Sequence, residues 1–86
     1  MKFGSTFINS HKLYSIGIDE DSGKYCMAVI ITWIASYARY FELTKDEFDL
    51  HKSDIGKLDA IAEKFRDFQN PKDSGRLLHS EMANEN

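Results

Sequence analysis

The chain has 86 residues, 14 of them acidic and 11 basic, for a formal charge of −3. That length holds one domain spanning residues 1–86, and the acidic balance argues against non-specific nucleic-acid binding, which depends on Lys and Arg displacing phosphate counterions. A single cysteine, Cys26, excludes an intramolecular disulfide, and the longest apolar stretch, Cys26 to Ile34, falls well short of the about 20 residues that a membrane span requires.

Residues 1–11 read as an edge strand or a loose arm, with Phe3, Phe7 and Ile8 supplying the apolar positions of Lys2–Asn9. From Lys12, Tyr14, Ile16 and Ile18 alternate with Ser15, Gly17 and Asp19, the period of a half-buried strand. Asp19-Glu20-Asp21-Ser22-Gly23-Lys24 has the chemistry of a tight turn: short side chains that bond to their own backbone, and a glycine that accepts positive φ. The chain returns through Tyr25–Ile34, apolar on both alternating faces and rich in β-branched residues. This predicts a central strand and a hairpin formed by Lys12–Asp19 and Lys24–Trp33. Tyr37, Arg39, Phe41 and Leu43 alternate with Ala38, Tyr40 and Glu42, predicting a third antiparallel strand. A helix through Ala28–Tyr40 is the competing reading, disfavoured by the β-branched density.

Thr44-Lys45-Asp46-Glu47 is a capping box, so a helix starts at Lys45. Phe48, Ile55, Leu58, Ile61, Ala62, Phe65 and Phe68 follow at spacings of three and four; Ser53 offers a fresh cap and Gly56 a weak point, so a break falls near His51–Ser53. Asn70-Pro71 ends the helix, Arg76–His79 offers one more strand, and residues 82–86 are expected to fray. The expected fold is α+β: an antiparallel sheet of three to four strands on one main helix, in the order β-hairpin–β–α with a C-terminal strand in reserve.

Candidate chemistry is sparse. His11, His51 and His79 lie in three segments without the spacing of a zinc site, so no metal is expected. Cys26 sits among apolar neighbours that oppose thiolate formation. The carboxylates of Asp19, Glu20 and Asp21, and those of Asp46, Glu47 and Asp49, fall in a turn and at a helix start, where solvation and the helix dipole account for them. No phosphate-binding glycine loop or nucleophile elbow is present, and no catalytic residue or cofactor is assigned. What remains is surface: Tyr37, Arg39 and Tyr40 belong to types enriched at interface hot spots, and Asp46, Glu47 and Asp49 belong to an acidic stretch that would steer a basic partner.

The series Ile18-Asp19-Glu20-Asp21-Ser22-Gly23-Lys24-Tyr25, Trp33-Ile34, Tyr40-Phe41-Glu42-Leu43-Thr44, Glu47-Phe48, Leu58-Asp59-Ala60-Ile61-Ala62 and Arg76-Leu77-Leu78-His79-Ser80-Glu81 resembles small bacterial immunity proteins, which neutralise toxins. The lone cysteine and the short apolar run point to a cytoplasmic protein, and the missing motifs to binding rather than catalysis. The resemblance implies occlusion of the active site or an essential surface of a toxin, with a basic nuclease domain as the partner an acidic patch would suit. It assigns no site residue. A homo-oligomeric structural or adaptor domain, pairing across a two-fold as a homodimer, and a small enzyme or ligand-binding module are the other classes open at this point.

Overall fold

The computed structural model describes residues 2–32, 36–67 and 75–82. Five strands, β1 (Phe3–Asn9), β2 (Tyr14–Asp19), β3 (Tyr25–Thr32), β4 (Ser36–Glu42) and β5 (Leu77–Met82), form one antiparallel sheet in the order β1-β2-β3-β4-β5. Two helices, α1 (Lys45–Ser53) and α2 (Ile55–Asp67), lie between β4 and β5 in the chain. The α+β class is as expected, and β3 is the central strand. The strand count and the single helix need correction.

Each extra element has a local cause. Phe3–Asn9 joins the sheet as a full edge strand, pairing from Phe3↔Asp19 to Asn9↔Tyr14. The C-terminal segment is also a strand, Leu77–Met82, paired with β4 from Phe41↔Leu77 to Tyr37↔Met82, so Met82 belongs to the sheet. The helix divides at Asp54, whose backbone (φ −152°, ψ 87°) leaves the helical region. Its amide closes α1 on the Leu50 carbonyl, and its carboxylate accepts the Lys57 amide (3.2 Å), capping α2. Asp54, not Ser53, therefore supplies the second cap. Ala28–Tyr40 is not helical in its described part, where β3 and β4 pair from Cys26↔Glu42 to Thr32↔Ser36. The expected turn at 34–36, Trp33, Phe68, the stop at Asn70-Pro71 and residues 83–86 lie wholly or partly outside the described residues.

The core lies between the helices and one face of the sheet. Tyr14, Ile16, Met27, Val29, Phe41 and Leu43 pack against Phe48, Leu58, Ala62 and Phe65. Phe41 and Phe65 stack with ring centroids 4.3 Å apart and planes 1° from parallel, and Tyr25 meets Phe48 at 4.6 Å. One polar tie joins the layers. The Tyr14 hydroxyl donates to Asp59 Oδ1 (2.5 Å), which also accepts from Asn9 Nδ2 (3.1 Å). Burial, then the hydrogen bond to the Asp59 carboxylate, pushes the Tyr14 hydroxyl up to about 12.

The opposite face is built differently. Four of its buried positions on the inner strands are small: Gly17, Cys26, Ala28 and Ala38. A bulge between Ser5 and Phe7 bends β1 so that the Gly4 carbonyl rests on Gly17, where a Cβ would lie 2.0 Å from that oxygen. Phe3 then meets Tyr40 of β4 edge-on at 5.4 Å, and Tyr40 meets His79 of β5 at 5.7 Å. Rings from both edge strands are thus linked through Tyr40. Among the described residues no helix is long and apolar enough to cross a membrane.

Candidate functional site: an acidic end beside an aromatic row

Antiparallel pairing decides which loops share an end of the molecule. Tyr25 pairs with Ile18, Cys26 pairs with Glu42, and the Leu43 amide donates to the Tyr25 carbonyl (2.8 Å). The β2–β3 turn and the start of α1 therefore lie at the same end of the sheet. Two carboxylate groups far apart in sequence meet there: Asp19, Glu20 and Asp21, and Glu42, Asp46 and Glu47. They outnumber the cations of Lys2, Lys24, Lys45 and Arg76 at this end.

These carboxylates are not equivalent. Asp19 is buried, contrary to the solvated turn expected of it. It accepts hydrogen bonds from the Ser22 hydroxyl (2.7 Å) and from the amides of Lys2 (3.1 Å) and Asp21 (3.2 Å). The Ser22 bond, then the Lys2 bond, holds its carboxyl below the usual range and keeps it ionised. Gly23, at φ 76°, closes the turn with its amide on the Asp19 carbonyl (2.7 Å). Glu47 is also committed. It accepts the Thr44 amide (2.9 Å) while its own amide donates to the Thr44 hydroxyl (3.2 Å), and the Arg76 guanidinium donates to the same Oε1 (2.5 Å). Glu20 lies 4.0 Å from Lys2, and Glu42 lies 3.8 Å from Lys24. Asp46 is exposed and Asp49, one turn along α1, is half-buried.

The aromatic candidates separate. Tyr37 and Arg39 lie on the helix-side face, where an Arg39 guanidinium nitrogen donates to the Tyr37 hydroxyl (2.7 Å) and its carbon sits 4.9 Å from the ring centroid. Tyr40 is on the opposite face, two residues before Glu42 on the same side of β4. So Tyr40, with Phe3 and His79, borders the acidic end, and Tyr37 and Arg39 do not join them. Sequence reading missed Phe3 and His79. Only the pairing β1-β2-β3-β4-β5 could bring them to Tyr40.

The groups with reactive potential stay apart. Cys26 is buried, and burial pushes its thiol up, away from the nucleophilic thiolate. His51 packs against Phe7 and Phe48 with Nδ1 2.7 Å from the Phe48 carbonyl, His79 lies on Tyr40, and His11 is exposed. Among the described residues no three His, Cys, Asp or Glu side chains converge into a metal-ligand set. A cleft of about 240 Å³ at the acidic end is lined by Glu42, Leu43, Thr44 and Arg76. A larger one, about 630 Å³, has a described lining of Ala60, Glu63, Lys64 and Asp67 on the outer side of α2. What this arrangement offers chemically is recognition: fixed rings beside a field of negative charge. No family model, no curated protein and no solved structure matches the chain.

Proposed function

We propose that the chain works by binding a protein, as an immunity protein that neutralises a bacterial toxin in the cytoplasm by covering its active site or an essential surface. One observation carries the reading: the fold gathers the carboxylates of residues 19–21 and 42–47 at one end of the sheet, beside the row formed by Phe3, Tyr40 and His79. Negative charge raises the rate of encounter with a basic partner, and rings already held by neighbours lose little freedom on docking. A basic nuclease-type toxin domain fits that pairing of chemistry, and the resemblance to immunity proteins points the same way. The partner surface consists of Tyr40, Phe3 and His79, with Asp46 and Asp49 steering. Glu47 acts chiefly by holding the start of α1.

Affinity capture with the tagged chain from its host, including the products of neighbouring genes, tests the reading by mass spectrometry. The expected result is one basic toxin domain in stoichiometric amount. Recovery of the bait alone, with the neighbouring products present, overturns it.

A further inference from the structure

We propose that Asp19 is the positioning residue of the aromatic row: its carboxylate holds the start of β1, so that the Phe3 ring stands fixed against Tyr40 before a partner arrives. The bearing on docking rests on the function proposed above; the effect on Phe3 does not. Among the described residues Asp19 accepts three hydrogen bonds, and they divide by origin. The Ser22 hydroxyl (2.7 Å) and the Asp21 amide (3.2 Å) come from within three residues, as in any aspartate that closes a turn. The Lys2 amide (3.1 Å) comes from 17 residues away, and closing the turn does not call for it.

Lys2 is fastened at both of its backbone polar groups. Its amide donates to Asp19 Oδ1, and its carbonyl accepts the Glu20 amide (2.8 Å). Phe3 is the next residue, and it stands opposite Asp19 in the β1–β2 register. With the residue before it held on both sides, Phe3 leaves the backbone in a set direction, and its ring meets Tyr40 at 5.4 Å. Gly17 supplies the room. It lies two residues before Asp19 on the same face of β2, and the Gly4 carbonyl settles where a Cβ would stand only 2.0 Å away. Position 17 therefore admits the start of β1, and position 19 ties it down. Lys2 is exposed and near the chain end, where backbone without a tether frays. A ring carried on a fraying end would lose that freedom on docking; one held beforehand has little left to lose.

Ring-to-ring cross-relaxation between Phe3 and Tyr40, read by NMR on the full chain without a partner, tests the proposal. The cross-peaks are expected in the wild-type chain and lost in Asp19→Ala. There the Glu20 amide should also exchange about tenfold faster, the weight of one hydrogen bond to a charged group. Because Asp19→Ala also weakens the turn, Lys2→Pro deletes the donor alone, at a position outside β1. It should lose the same cross-peaks, whereas Lys2→Ala, which removes the same side chain but keeps the amide, should retain them. Ser22→Ala should retain them too, since it takes the shortest bond from Asp19 and leaves the Lys2 amide in place. Absent cross-peaks in the wild-type chain, or undiminished ones in Lys2→Pro, overturn the proposal. So does their equal loss in Ser22→Ala, which would leave Asp19 a turn residue only. The chain is read alone throughout, so failure to capture a toxin leaves this result standing, and failure here leaves the docking reading standing.

Discussion

The two faces of the sheet solve the same problem with opposite materials. On the helix side, large side chains interlock: Phe41 on Phe65, Tyr25 on Phe48, and Ile16, Met27 and Val29 beneath α2. On the other side, Gly17, Cys26, Ala28 and Ala38 form a low floor, over which Phe3 and His79 of the edge strands meet Tyr40 of β4. Core burial scales with area, so the first face carries most of the stabilisation. The second keeps its rings half-buried, near enough to neighbours to be held and open enough to touch a partner. On the reading proposed above, stability and recognition fall on different sides of the same strands.

Adjacent residues put this to the test. Phe41→Ala empties the centre of the helix-side core and is expected to cost about 3–5 kcal/mol in urea unfolding. A loss under 1 kcal/mol would erase the distinction between the faces. Gly17→Ala places a methyl against the Gly4 carbonyl, so β1 must shift; the expected cost is about 3 kcal/mol, with faster amide exchange in β1. A neutral effect would mean that β1 does not press on the sheet. The Tyr14–Asp59 tie predicts alkaline sensitivity. The folded hydroxyl stays protonated to about 12, whereas the unfolded one ionises near its ordinary value of 10.0. Stability is whole below the lower value and falls by about 2–3 kcal/mol as pH rises between the two. Tyr14→Phe should flatten that slope, and an unchanged slope in the variant removes the assignment. Tyr40→Ala, one residue from Phe41 but on the other face, is expected to cost only about 1–2 kcal/mol while abolishing capture of the partner. Retained capture would move the docking surface elsewhere. Smallest of all, Asp46→Asn with Asp49→Asn should change stability by less than about 0.5 kcal/mol. The pair should slow association at low salt, and an unchanged on-rate there ends the steering argument.

Much of the fold is legible in the chain because its signals are local. The Asp19–Lys24 turn, the alternation of Tyr14–Asp19 and the Thr44–Glu47 capping box each depend on residues within a few positions, and each forms where those residues stand. Asp54 was harder to see, since aspartate in a helix resembles an ordinary charged surface residue until its backbone is known. The site was less legible. Arg39 and Tyr40 are neighbours in sequence and therefore point to opposite faces of β4, a consequence of strand period that the clustering by residue type passed over. The joining of residues 19–21 to 42–47, and of Phe3 and His79 to Tyr40, depends on pairing across strands. No local pattern encodes it.

The strand order has a consequence for how the chain comes into being. Because β1 to β4 follow one another in the sheet as in the sequence, every pairing among them closes a short loop. A nascent chain can assemble this meander before either helix is complete, the kind of topology that folds quickly. During that interval the apolar face of the sheet and the outer edge of β4 are both open to solvent. They close only when α1 and α2 settle and β5, which follows the helices in the chain, adds to β4. The interval of greatest aggregation hazard thus lasts until β5 has formed, and β5 is the element that ends it.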